Sequence, residues 1–446
     1  MEPRPHRSGQ PLLSQIDEER GRARYNHSRT PSPLPDTPPA HRPNFSRRST
    51  MRSRSPDMQA QMAAKKKYML AAVFLLVSLV SFVVQTELGT IVQQDLGWNK
   101  AYCMLYLTHG SWSLLWPAQL LFLRVQNWNT PWPTFWRRHV YLVKSTAQMV
   151  RSQTLDVPRH ISTTSPWPYL VRTTAFITTS LTVAGLSWYV AVDMTSPSDL
   201  TAIYNCSAFF AYVFSVPLLK EKFRLDKSLA VLIAIAGVMA VAYGDSKEDD
   251  AAGEGPAASL RLLGNLIIGG GSILYGLYEV LYKRWACPPE NISATRGMIF
   301  ANTFGSCIGT FTLTVLWLPL PLLHWLDIET FELPTGKAAW YLFYSVIMNA
   351  TFAGSFLVLI SLTSPVLSSV AALLTIFIVA IVDWMRTGEG MSKVAIVGCG
   401  AIIAAFLMLS WSTYREMVED AKRKAETGEV EAEWDSEDDK DDDRLD

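Results

Sequence analysis

Between residues 68 and 412 the chain reads as ten apolar runs of about twenty residues each. They lie near 68–88, 102–123, 168–190, 197–218, 228–244, 262–282, 298–322, 339–360, 365–385 and 393–412. A helix rises ~1.5 Å per residue and satisfies its own backbone groups, so a run of this length crosses the hydrocarbon core of a bilayer. No other feature restricts the fold as strongly. A length of 446 residues would accommodate two or three soluble domains, but soluble domains do not repeat such runs. The expected fold is an all-α integral membrane protein with ten transmembrane helices. The second and eighth runs are the least clean, because "YLTHGSWSLLWPAQL" and "YSVIMNATFAGSF" carry polar groups.

Charge is pushed to the ends. Residues 1–67 hold fourteen Lys/Arg against six Asp/Glu, and residues 413–446 hold six against fifteen. The first segment, with "RTPSPLPDTPPAHRPNFSRRSTMRSRSP", lacks the apolar content to offset chain entropy, so a disordered basic tail is expected; the second is a solvating acidic tail. "AAKKK" abuts the first run. If the N-terminus lies in the cytoplasm, the cytoplasmic loops carry thirteen basic residues and the opposite loops six, in line with the positive-inside tendency. Ten spans then return the C-terminus to the same side. The stretch 124–167 reads as a basic, partly amphipathic segment that either rests on anionic lipid or is an ordinary loop.

The runs fall into two sets of five, 68–244 and 262–412, joined by the acidic connection 245–261. Thr195-Ser196-Pro197 heads the fourth run, and Thr363-Ser364-Pro365, 168 positions later, heads the ninth. Ser caps free N–H groups and Pro at the first turn lacks a donor that would be orphaned there, so each triplet is a helix start. Glu87 and Glu279, 192 positions apart, stand late in the first run of each set. An odd number of spans per set inserts the two sets in opposite directions, which predicts a 5+5 inverted-topology repeat with the two triplets as gates.

Ionisable groups at membrane depth are costly and face a cavity or a partner. Glu279 is the strongest candidate for contacting a solute, and Lys283, four residues on, lies on the same helix face. Glu87 and His109 are further candidates; either they line the cavity or they serve the interface and helix packing. Trp112, Tyr204, Asn205 and Asn349 complete the candidate substrate-binding set, with interhelical hydrogen bonding as the plainer role for the asparagines. Asp383 and Arg386 read as an interface pair. Gly269, Gly270 and Gly271 weaken the sixth helix locally and suit either bending or close packing.

The stretches "TSPSDLTAIYNCSAFFAYVFSVPLLKEKFRLDKSLAVLIAIAGVMAVAYGD" (195–245), "GGGSILYGLYEVLYKR" (269–284) and "LTSPVLSSVAALLTIFIVAIVDW" (362–384) resemble the EamA-like drug/metabolite transporter superfamily. Within it they are most similar to solute carrier family 35, subfamily F. The resemblance covers residues 68–412 and implies a carrier working by alternating access in an endomembrane, Golgi or vacuole rather than plasma membrane. Some members of the family move nucleotide sugars, and relatives of this subfamily are linked to thiamine. The candidate deep charges here are acidic, so a cationic or neutral small organic solute is expected, with a nucleotide sugar as the first alternative. A membrane scaffold or receptor is the second. No HExxH, P-loop or CxxC spacing occurs, so neither enzyme activity, a cofactor nor a metal is expected. The expected partners are a small organic solute and the lipid bilayer, with a homodimer left open and no nucleic acid.

Overall fold

The computed structural model describes residues 56–155, 157, 164–191, 194–195, 202–221, 223–243, 256–289, 292–378, 381 and 393–427. Among them the regular structure is entirely helical. The helices are α1 (Pro56–Thr90), α2 (Ala101–Gly110), α3 (Leu115–Gln126), α4 (Trp132–Ser152) and α5 (Trp167–Ala191). Next come α6 (Ser207–Leu219), α7 (Leu225–Tyr243), α8 (Pro256–Ala286) and α9 (Ala294–Val315). The chain continues with α10 (Pro319–Trp325), α11 (Gly336–Leu362), α12 (Pro365–Ala372) and α13 (Lys393–Thr427).

Seven helical segments among the described residues are long and apolar enough to cross a membrane, against the ten runs expected. They are Lys67–Gln93, Trp167–Ala191, Ala202–Leu219, Ser259–Ala286, Ala294–Trp325, Gly336–Leu362 and Ile396–Glu419. Each of the remaining runs departs for its own reason. The run at 102–123 is divided into α2 and α3 by a 3-10 turn at Ser111–Leu114. There the Ser111 hydroxyl turns back to the carbonyl of Thr108 at 2.5 Å and to that of Val346 at 3.2 Å. The run at 228–244 is the 19-residue α7, with Asp226 and Lys227 in its first turn. The run at 365–385 begins as an apolar helix over Pro365–Ile378 and then passes outside the described residues, together with Asp383 and Arg386.

Several helices outrun the apolar stretches that announced them. α1 reaches back to Pro56 and α13 forward to Thr427, into segments expected to be tails. Polar pairs support the second extension. Arg415 meets Glu419 at 3.0 Å in an i,i+4 pair, and Lys227 of α7 meets Glu416 at 2.7 Å. The acidic connection falls outside the described residues up to 255, after which α8 begins at Pro256. The stretch 124–167 contains a true helix, α4, that buries Phe135, His139, Ala147 and Val150. Burial holds the His139 imidazole below its usual pKa. That suits a neutral ring whose Nε2 accepts from the indole N–H of Trp116 at 3.0 Å.

The helices pair in a definite pattern. α1 packs along α11, and α8 packs along α5; α2 and α3 lie on α9, α6 on α12 and α7 on α13. In lipid no apolar transfer energy separates helix from solvent, so close packing and hydrogen bonding hold such pairs. The α7–α13 crossing depends on two glycines. A Cβ on Gly237 would stand 2.8 Å from the Gly398 carbonyl oxygen, and one on Gly398 would stand 2.7 Å from that of Gly237. Of the triple glycine of α8 only Gly271 is required by packing, since a Cβ on Gly270 would meet nothing within 4 Å, and the helix runs unbroken through all three. A Cβ on Gly271 would fall 1.7 Å from Ser187 Oγ of α5. The bend admitted at that point does not occur.

Candidate functional site

The second Thr-Ser-Pro triplet acts as the sequence predicts. α11 ends at Leu362, and Ser364 caps α12, its hydroxyl accepting from the Leu367 N–H at 3.2 Å, with Pro365 in the first turn. Thr363 has φ −121° and ψ −119°, outside the helical region, so the chain breaks there. In the first triplet only Thr195 is described; its hydroxyl pairs with the side chain of Asn265, and Ser196 and Pro197 lie outside the described residues.

α8 holds both sides of the 363–365 break. The Lys283 ammonium donates to the carbonyls of Ile360, Ser361 and Thr363 at 3.0, 2.8 and 2.9 Å, which satisfies acceptors that the end of α11 leaves open. Lys283 is therefore a helix-end cap, not a partner for Glu279, and the same-face pair drawn from spacing is corrected. The reason is reach. Orphaned carbonyls are clustered within hydrogen-bonding distance of the ammonium, and the carboxylate has a donor of its own. One turn earlier, Glu279 is fully buried, and its Oε2 accepts from the Ser369 hydroxyl in the second turn of α12. Among the described residues its Oε1 has no hydrogen-bond partner.

Aromatic side chains line this carboxyl. Tyr278, beside it on α8, is buried, and Tyr275 lies 5.6 Å from Tyr278 and 5.3 Å from Tyr204, centroid to centroid. The Tyr204 carbonyl accepts from Ser272 at 3.2 Å, which ties the start of α6 to α8. Glu279, Tyr204, Tyr275 and Tyr278 thus form one acidic, aromatic cluster at membrane depth. Ring faces and a carboxylate oxygen both attract a cation, more strongly where water is excluded. Tyr275, Tyr278 and Ser369 were missed by sequence reasoning. The spacing of "YGLYEVLY" carried the signal, since positions 275, 278, 279 and 282 share one helix face.

A second polar cluster joins three other candidates. The Trp112 indole N–H donates to Asn349 Oδ1 at 2.7 Å, and the Asn349 amide donates to Gln85 Oε1 at 2.5 Å. Ser345 adds a bond from its hydroxyl to the Gln85 carbonyl at 3.2 Å. His109 packs on Trp112 with ring centroids 5.3 Å apart, and among the described residues its Nδ1 has no hydrogen-bond partner. The cluster therefore links α1, the α2–α3 turn and α11. Gln85 was missed because a lone Gln in an apolar run has no distinguishing spacing. Glu87, two positions further along α1 and half-buried, lies nearly opposite Gln85 around the helix. Asn205, also half-buried, neighbours Tyr204 in sequence.

The opposite end of the bundle is fastened by a carboxylate that the sequence did not advertise. Glu329 accepts from the backbone N–H groups of Tyr102 and Cys103, both at 2.8 Å, at the start of α2. Lys100 and Trp98 reach the same 329–332 loop through Thr330 Oγ1 and the Glu332 carbonyl. A carboxylate on the free N–H groups of a helix start is favoured by the helix dipole.

Residues 99–243 match the EamA-like transporter family. The chain is 28% identical over 256 residues to an uncharacterized transporter of Schizosaccharomyces pombe, spanning 55% of this chain and 71% of that protein. It is 26% identical over 232 residues to the thiamine-repressible mitochondrial transport protein THI74 of Saccharomyces cerevisiae, spanning 51% of this chain and 59% of that one. It is 24% identical over 233 residues to solute carrier family 35 member F5 of Macaca fascicularis, spanning 51% of this chain and 50% of that one. The chain therefore spans between half and seven tenths of these relatives. These matches bear out the resemblance to the drug/metabolite transporter superfamily and to solute carrier family 35, subfamily F. With the apolar helices they make the chain a multi-pass membrane protein.

Proposed function

We propose that this multi-pass, EamA-like chain is a secondary transporter that moves a small organic solute, cationic or neutral, by alternating access. The observation that carries this reading is the Glu279 carboxyl. It is fully buried at membrane depth among Tyr204, Tyr275 and Tyr278, with one oxygen held by Ser369 and the other open. A buried acceptor left open costs free energy, about 1–3 kcal/mol, that a bound donor or cation recovers. The match to a transporter family and the names of the relatives support transport as the class of activity.

The mechanism follows from two repeats, 68–244 and 262–412, inserted in opposite senses. Exchange of the halves turns the α1–α11 pair into the α8–α5 pair and leaves the α2/α3–α9, α6–α12 and α7–α13 pairs in place, and these pairings support the symmetry; the α6–α8 and α1–α13 pairs are not matched to the same extent by their counterparts. Solute binds between the halves at Glu279 and the aromatic rings, with Glu87 and Asn205 lining the route, while His109, Trp112 and Asn349 serve to fasten α1, the α2–α3 turn and α11. The helix starts at 195–197 and 363–365 are the two gates. Lys283 and Glu279 connect the second gate to α8: one side chain holds the end before the break, the other the turn after it. Closing or opening that gate then changes the surroundings of the carboxyl, the differential contact that a population shift requires. Both termini face the cytoplasm, and the membrane is an internal one.

Purified protein in liposomes, preloaded and challenged by counterflow with organic cations, neutral solutes and nucleotide sugars, tests this reading. Exchange of a cation or neutral solute that depends on Glu279 is the expected result. Exchange of a nucleotide sugar, indifferent to competing organic cations, overturns the substrate class. No exchange by protein that retains full function in cells overturns transport in favour of a scaffold.

A further inference from the structure

A cleft opens between α5 and α8, lined by Tyr169, Arg172, Thr173, Phe176 and Trp285. It lies apart from the Glu279 cluster, on the outer surface of the bundle. Trp167, Val171 and Phe176 are 63%, 61% and 53% exposed there, so this face of α5 looks into lipid. Arg172 is exposed on the same face, five residues into a span that begins at Trp167. At ~1.5 Å per residue that places its backbone ~7–8 Å beyond the indole that marks the interface, within reach of the headgroups for so long a side chain.

The walls of the cleft are fixed. The Tyr169 hydroxyl donates to the Trp285 carbonyl at 2.8 Å, and the Phe176 ring meets the Trp285 ring edge-on at 5.6 Å. Arg284, the neighbour of Trp285, is engaged elsewhere, on the Leu218 carbonyl at the end of α6. Among the described residues the guanidinium of Arg172 is thus the cation presented to the cleft, above an apolar floor.

We propose that this cleft is a binding site for one phospholipid of net negative charge. Arg172 clamps the headgroup phosphate, and Phe176 and Trp285 take the first carbons of an acyl chain. A guanidinium matches two phosphate oxygens at once, which an ammonium cannot do. Lys283 and Arg284 close by on α8 add positive potential that favours a headgroup of net negative charge over a zwitterionic one. The site does not depend on what the protein transports.

The test uses the full chain in nanodiscs of phosphatidylcholine with one tenth phosphatidylserine. Native mass spectrometry should find one phosphatidylserine retained in preference to phosphatidylcholine, and the thermal midpoint should rise with phosphatidylserine content but not with inorganic phosphate. Arg172→Gln should reduce retention ~10-fold, and Arg172→Lys should fall between, because the forked contact is lost. A photoactivatable phosphatidylserine on the unaltered protein should label peptides containing 169–176 or 285, a readout that needs no variant. Retention unchanged in Arg172→Gln, labelling confined to other peptides, or equal stabilisation by inorganic phosphate would each overturn the proposal.

Discussion

The two polar clusters inside the bundle are built to different ends. Around Asn349 every strong contact is neutral and mutual: Trp112 donates to it, it donates to Gln85, and the ring of His109 closes the side. Around Glu279 an ionisable oxygen is left open among tyrosines, and its other contact is a single hydroxyl on the far side of a helix break. The paired Trp112–Asn349–Gln85 chain fixes helices against each other, while the Nδ1 of His109 beside it has no hydrogen-bond partner among the described residues. An open carboxylate at the same depth gains most from a ligand. On the function proposed above, the difference separates a fastening from a site, although both were equally plausible as polar residues in apolar runs.

The sharpest way to break that contrast is Glu279→Gln. Removing the charge from a desolvated contact with a cation costs about 2 kcal/mol or more, so uptake of an organic cation should fall at least ~30-fold. The folded fraction on size-exclusion chromatography should be unchanged. Lys283→Met comes next. With three carbonyls at the end of α11 left without their donor, thermal stability in detergent should drop by about 2 kcal/mol. Lys283→Arg should restore part of it. Trp112→Phe should cost the least, about 1 kcal/mol of stability, because one interhelical hydrogen bond in a membrane protein is worth little. It should leave transport within about twofold of the parent. Loss of transport in Trp112→Phe as complete as in Glu279→Gln would erase the distinction between the clusters.

Much of this was legible in the chain itself. Apolar length identified seven of the ten expected spans among the described residues, and Ser364-Pro365 identified a helix start that the hydrogen bond from Leu367 realises. Glu279 stood out because a carboxylate inside an apolar run demands an explanation. What sequence alone misassigned was the partner of Lys283. Spacing of four offers Glu279, but three carbonyls exposed by a break 80 residues away lie in better positions. Gln85 and Ser369 were invisible for a related reason: a short polar side chain in an apolar run acquires meaning only through the helix packed against it. The division of the second run was also hidden, since Ser111 reaches a carbonyl of α11 that no local pattern announces. The end of α13 overran its apolar run because ion pairs such as Arg415–Glu419 sustain a helix outside lipid as well.

The central claim is that the surroundings of Glu279 open in turn to each side of the membrane. The most direct test is a cysteine at the neighbouring position, Ser369→Cys, in a background with the five native cysteines removed. Sealed vesicles of known orientation are then exposed to a membrane-impermeant maleimide from one face or the other. The account predicts labelling from both faces, with a transported solute slowing the reaction from each. Labelling from one face alone, whatever solute is present, would contradict it.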